Sequence, residues 1–331
     1  DIKIRNMQRN LYFDNLRGIA ILMVVAIHTF IACEFDNCQS IFAIGMREIF
    51  NVAVPLFLAI SGFFIGRKKI EYNSQIFKFW KKQIPKVYIP TLFWSIPYLA
   101  LAVFHQQPLF KNLLVFLFCG YSIYYFIALI IQCYLLLPFL QKKMLNIASG
   151  GGVILCLSII CVAVICYTNI TKYPLIVFAG PVIVWLIFFW IGVFLSRSER
   201  NYKIGWIFVG VLISFALMLI ETKFRHEATG GGYGIKPSSF IFSFLMILLL
   251  LSKRMEQKYV EDNIINKVLT VVGDYSFPIY LIHCFVITIV FHFVTVSNWI
   301  ARWIVVVSIT MLFIYIVRKV LPNKCLKIIG F

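Results

Sequence analysis

Apolar stretches of about 20 residues, long enough to cross a bilayer as helices, recur ten times along this chain of 331 residues. No other feature limits its fold as strongly. The windows fall near residues 14–33, 44–65, 84–104, 121–140, 147–168, 174–195, 204–221, 237–252, 274–295 and 300–320. In hydrocarbon every backbone N–H and C=O must be satisfied within the protein, and helices do this segment by segment. The expectation is therefore an all-α polytopic membrane protein with about ten transmembrane helices, forming one domain over residues 1–331. Composition agrees: 13% of residues are charged, against roughly 25% in a soluble domain.

A formal net charge of +18 would suggest nucleic acid in a soluble protein. Here the basic residues sit in short clusters between apolar runs, with no basic stripe carrying exposed aromatics, so no nucleic-acid partner is expected. With the N-terminus inside, one side collects Lys3, Arg5 and Arg9, then Arg67, Lys68, Lys69, Lys78, Lys81, Lys82 and Lys86, then Arg197 and Arg200, and finally Arg318 and Lys319. The opposite side holds few, among them Arg47, Arg225 and Lys236. The positive-inside rule then makes both termini cytoplasmic and the location the cell (inner) membrane. Most cysteines lie inside apolar runs and act as small hydrophobes. Cys33 and Cys38 bracket the first outer loop, as a disulfide or as free thiols. The N-terminus lacks a signal-peptide cleavage pattern. Because residue 1 is Asp and not Met, the sequence is open to being a piece of a longer protein.

Two residues in the first window should not be there on composition alone. An arginine within a spanning helix costs about 2.5–3.5 kcal/mol on insertion scales, so it faces a polar interior, a cavity or a partner. Arg17 and His28 are separated by three helical turns plus roughly 20°, which puts them on one face about 16 Å apart. That face offers a cation near one membrane surface and a titratable base deeper in. Asp14 has two roles open to it: N-cap of the helix and i, i+3 partner that orients Arg17.

Later segments add candidates. Pro55 and the pair Ser61-Gly62 read as kink and close-packing residues in the second span, which ends on Arg67. The segment near 68–86 is amphipathic, with Ile76, Phe77, Phe79 and Trp80 among lysines. It suits a helix on the anionic inner leaflet, or else its lysines help to hold an anionic cytoplasmic substrate. Tyr121 and Tyr124 fit an interfacial aromatic belt. Gln132 lies deeper and needs hydrogen-bond partners, from a neighbouring helix or from a bound ligand. The loop near 222–237 is glycine-rich and outer, expected over an entrance, but has no GK[ST] and is no phosphate loop. His283 repeats the puzzle of His28. Without a third nitrogen, thiolate or carboxylate at suitable spacing no metal site is expected.

These residues resemble the membrane-bound acyltransferase-3 family, in particular the O-acetyltransferase of the enterobacterial common antigen type. The likeness rests on Asp14-Asn15-Leu16-Arg17-Gly18 with His28 eleven positions after Arg17, and on Val54-Pro55-Leu56-Phe57 leading to Ser61-Gly62-Phe63 and Arg67. Tyr125-Phe126 through Pro138 and Tyr275-Ser276 through Tyr280 to His283 complete it. Tyr125 departs from the tryptophan common in the family, which alters acceptor contacts. No hydrolase-like domain of the kind fused to some members is present in this sequence.

The resemblance implies transfer of an acyl group, usually acetyl, from cytoplasmic acyl-CoA to a hydroxyl of a cell-envelope glycan or lipid-linked saccharide. Acetyl-CoA is then the donor substrate, and the partners are that acceptor and membrane lipids. The chemistry fits. Guanidinium forks suit the phosphates of CoA, so Arg17 and Arg67 are donor-binding candidates, joined by Ser61 and Lys82. A neutral imidazole can take the proton of a weakly nucleophilic hydroxyl, or carry the acyl group covalently. His28, with Arg17 and Asp14, forms the catalytic set. Tyr125, Gln132 and His283 are assigned to the acceptor. Two rival classes stand beside this: a glycan or small-molecule transporter whose Arg17–His28 face lines the path, and the membrane domain of a larger fused enzyme such as an amino-acid racemase.

Overall fold

The computed structural model describes residues 10–31, 41–68, 70, 73–143, 150–168, 175–229, 234–293 and 298–331. Cys33, Cys38 and the glycines at 230–232 lie outside these residues. Regular structure among the described residues is entirely helical. The order begins α1 (Leu11–Ile31), α2 (Ile41–Phe50), α3 (Ala53–Gly66), α4 (Asn73–Phe104), α5 (Leu109–Leu117), α6 (Tyr125–Lys143), α7 (Gly152–Tyr167) and α8 (Leu175–Phe178). It continues with α9 (Val182–Leu195), α10 (Ile204–Thr229), α11 (Pro237–Leu250), α12 (Lys253–Gln257), α13 (Ile264–Asp274), α14 (Ser276–Phe293), α15 (Trp299–Val320) and α16 (Asn323–Ile329).

Among the described residues six stretches are long and apolar enough to cross a bilayer: Leu11–Phe30, Ile44–Gly66, Ser74–Phe104, Ile204–Arg225, Ser276–Phe293 and Trp299–Val320. Shorter apolar helices, Tyr125–Gln141, Gly152–Cys166, Val182–Leu195 and Pro237–Leu250, occupy the other four windows. The window 174–195 is not one helix, because Gly180-Pro181 separates α8 from α9. Its 14-residue helix α9 rises only about 21 Å, against roughly 30 Å of hydrocarbon. Burial separates centre from periphery. The windows of α1 and of α2–α3 are 61% and 67% buried, whereas those of α10 and α15 are only 17% buried. The latter turn apolar side chains such as Trp206, Leu212, Leu312 and Ile316 outward, as lipid-facing helices do.

The second predicted span is broken ahead of a proline. The second divides at Asn51-Val52, and Pro55 is the third residue of α3, where a missing N–H costs nothing. The kink therefore precedes Pro55, while Ser61 and Gly62 stay helical. The ninth window is one helix, α14, which Tyr275 parts from α13, with Pro278 likewise third in α14. The amphipathic segment near 68–86 is not a separate in-plane helix. From Asn73 it is continuous with the following span in α4, and Trp80 Nε1 donates to the Tyr134 carbonyl at 3.0 Å.

Close packing of backbones fixes α1 and α3 in place. A Cβ built on Gly62 would collide with the carbonyl oxygen of Phe189 in α9, and one on Gly273 with that of Asp14 in α1. At Gly205 nothing lies within 4 Å. Apolar helices gain no hydrophobic drive from meeting each other in lipid, so such van der Waals contact carries the association. Gly62→Ala should therefore destabilise the purified protein by about 1–3 kcal/mol, the range for overpacking, while Gly205→Ala leaves thermal unfolding nearly unchanged. Equal melting temperatures for the two variants would contradict this packing.

Candidate active site

The helical spacing read from sequence holds in space. Arg17 and His28 line one cavity of about 900 Å³, together with Ser61, Phe64, Tyr125, Phe126, Tyr134 and Tyr280. Since these two residues are separated along α1 by about 16 Å, the cavity runs at least that far through the helix bundle. Asp14 does not cap α1, which begins at Leu11. Its carboxylate instead accepts from Arg17 Nη1 at 2.9 Å, so the orienting role is the one the structure supports.

At the Arg17 end, aromatic rings gather cations. Arg17 lies 4.8 Å from the centre of the Phe64 ring, Arg67 lies 4.5 Å from Phe63, and Arg200 lies 4.8 Å from Phe63. Arg200 is held by Glu256 at 2.6 Å and by the Leu251 carbonyl at 2.9 Å. Arg67 has no carboxylate within ion-pair distance among the described residues. Burial first, and Arg200 second, lower its pKa below arginine's ordinary value. Lys68 is pushed down in the same way, by burial and then by Lys86 and Lys82. Lys82 itself is exposed and does not line the cavity. Arg200 was counted in the sequence only among the charges that set topology. Its place here depends on stacking and pairing across 137 and 56 residues, which no local pattern displays.

Around His28 the structure brings together what sequence left apart. The His28 and His283 rings are 5.3 Å apart, centre to centre, with planes at 44°. Each of His28, His283 and Cys284 offers one donor atom, and these lie within 4.8 Å of one another. Cys284 is thus the third donor whose absence removed a metal site from the sequence reading. His283, assigned from sequence to the acceptor, is fully buried beside His28 and does not line the cavity.

The far end of the cavity is lined by Arg47, Asn51, Arg225, Lys236 and Ser239. Beneath them Glu48, fully buried, accepts from Lys236 Nζ at 2.5 Å, Thr222 Oγ1 at 3.0 Å, Ser239 Oγ at 3.1 Å and Asn51 Nδ2 at 3.0 Å. A buried carboxylate is tolerable only with such a full set of donors, and this set ties α2 to α10 and α11. Arg225 pairs with Glu221 at 2.9 Å. Arg225, Gly234 and Lys236 belong to the ends of the predicted outer loop, whose described residues do border the cavity.

Gln132 is placed elsewhere. Its Nε2 donates to the Gly180 carbonyl at 2.8 Å, and its Oε1 accepts from Val182 N at 3.1 Å. The amide thus satisfies the backbone freed where α8 gives way to α9, and it does not line the cavity. Tyr124 is likewise no interfacial belt residue. It is buried, and its hydroxyl donates to the Leu281 carbonyl at 2.7 Å.

A cation cluster and an imidazole sharing one buried cavity agree with the outcome of comparison with known proteins. The model of the Acyltransferase domain family, acyltransferase 3, matches residues 10–319. The chain belongs to the acyltransferase-3 family. Several of its described helices are apolar and of membrane-spanning length. It is also similar to a serine/alanine racemase of Enterococcus gallinarum, 28% identical over an alignment of 267 residues that covers 73% of this chain. The chain spans only 36% of that protein's length. No solved structure matches.

Removing the Gln132 amide tests its placement. Gln132→Leu orphans one buried acceptor and one donor, at about 1–3 kcal/mol each, so melting temperature should fall while the activity of the remaining folded protein persists. Loss of activity at unchanged melting temperature would return Gln132 to the acceptor site.

Proposed function

We propose that the protein is an integral-membrane O-acyltransferase that moves an acyl group, acetyl in the simplest case, from cytoplasmic acyl-CoA to a hydroxyl of a cell-envelope glycan. The observation that carries this is the single cavity lined by both Arg17 and His28. In this reading all ten apolar windows lie within the membrane, both termini are cytoplasmic, and the Arg17 end opens to the cytoplasm.

Arg17, Arg67 and Arg200 receive the phosphates of CoA. Guanidinium forks bind phosphate in two-point fashion, and cations crowded as Arg67 and Arg200 are are relieved by an anion. Lys68 and Lys82 add to the field at this mouth. The pantetheine arm then passes Ser61 and Tyr134, which both line the cavity, and brings the thioester to His28. An acceptor hydroxyl entering from the Arg47 end passes Tyr125 and gives its proton to His28, a step typically contributing about 10²–10⁴ in rate. The oxygen attacks the thioester carbonyl, the tetrahedral intermediate collapses, and the C–S bond breaks. The CoA thiolate leaves with the proton returned by the imidazolium. Arg47, whose charge acts on both His28 and Tyr125, is positioned to stabilise the oxyanion of the intermediate.

The partial match to a serine/alanine racemase favours a second reading, in which this chain is the membrane portion of a larger enzyme. Acyl transfer by the present chain alone separates the two.

His28→Ala should abolish transfer from radiolabelled acetyl-CoA to the glycan fraction of native membranes while acetyl-CoA binding survives. Arg67→Ala should weaken acetyl-CoA binding severalfold at low salt and less at high salt, since salt screens exposed charge. Full transfer by His28→Ala would refute the role of the imidazole, and salt-independent, unchanged affinity in Arg67→Ala would refute phosphate recognition there.

A further inference from the structure

His283 carries a polar atom that nothing in the fold uses. Its Nδ1 lies 3.0 Å from the Ile279 carbonyl and 2.9 Å from the Tyr280 carbonyl. Carbonyl oxygens only accept, so Nδ1 bears the proton and donates. In the neutral ring Nε2 is then a bare lone pair. That Nε2 is fully buried and has no hydrogen-bond partner, a condition that costs stability wherever it occurs.

The ring facing it is His28, at 5.3 Å between centres. That separation is close to a hydrogen bond's length plus the two ring radii, so a small rotation of His28 joins them. The neighbourhood holds α14 in place for this purpose: the Tyr280 hydroxyl donates to the Ile123 carbonyl and Tyr124 to the Leu281 carbonyl. Both ties cross from the turn before α6 to the helical turn that carries His283.

The geometry points to His283 as the positioning residue of the reaction. Resting on the acyltransferase reading above, we infer that its Nε2 accepts the N–H of His28, which fixes the His28 tautomer and leaves the other His28 nitrogen unprotonated toward the cavity. The chain of assignments has one consistent solution: backbone carbonyls set His283, and His283 sets His28. An unrestrained imidazole would present N–H to the acceptor hydroxyl for part of the time and could not take its proton. A buried imidazole whose acceptor has only this mobile partner is a cost in stability retained for function, as buried strain at working sites commonly is.

His283→Leu and His283→Gln test this. Leucine removes the orphaned acceptor; glutamine can place an amide oxygen near the position of Nε2. The readout is transfer from radiolabelled acetyl-CoA to the glycan fraction of native membranes, with acetyl-CoA affinity and melting temperature measured on purified protein. In His283→Leu, kcat should fall roughly 10–100-fold, the range for lost orienting partners, with KM for acetyl-CoA unchanged and melting temperature equal or higher. His283→Gln should recover most of the rate. A wild-type rate in His283→Leu overturns the inference, as do equal losses in both variants or a stoichiometric metal ion in the purified protein, which would claim the lone pair instead. Absence of acetyl-CoA-dependent transfer by the wild-type protein overturns the acyltransferase reading itself.

Discussion

A polar group enclosed by apolar helices must be bonded or wetted, and this constraint sorts nearly every unusual residue in the protein. Asp14 and Arg17 satisfy each other. Glu48 is surrounded by donors from α2, α10 and α11. Gln132 closes the break between α8 and α9. Several ionisable groups gather along one internal space: Arg17 at one end, His28 within, and Arg47, Arg225 and Lys236 at the other end.

Its shape follows from how the helices meet. Glycines at 62 and 273 let α9 and α13 approach α3 and α1 backbone to backbone, which draws the scaffold tight on the side away from the cavity. The breaks at Asn51-Val52 and Tyr275 shift the direction of the chain between α2 and α3 and between α13 and α14. They bring Arg47 to one flank of the space and His283 to another. Short helices such as α9 are buried supports, and long ones such as α10 and α15 shield the bundle from lipid.

Much of this was legible in the residues. Hydropathy placed an apolar helix in every window, and the 3.6-residue repeat set Arg17 and His28 on a common face, because both depend only on local geometry. The breaks were less visible: Pro55 and Pro278 mark first turns, which a proline tolerates, and only the third dimension shows where the preceding helix stops. Gln132, Tyr124 and Arg200 were misplaced or passed over for one reason. The partners of Gln132 lie 48 and 50 residues away, and those of Tyr124 and Arg200 lie 157 and 56 residues away. Cys284 counted in the sequence only as a small hydrophobe in an apolar run, because its significance is its approach to His28 from another helix.

The most direct measurement is an experimental structure of the protein in lipid with a non-hydrolysable acetyl-CoA analogue. The account predicts phosphate density against Arg17, Arg67 and Arg200, and the analogue's acyl carbon beside the His28 ring, with one unbroken channel between them. Density for the nucleotide elsewhere, or a wall of packed side chains between Arg17 and His28, would contradict it.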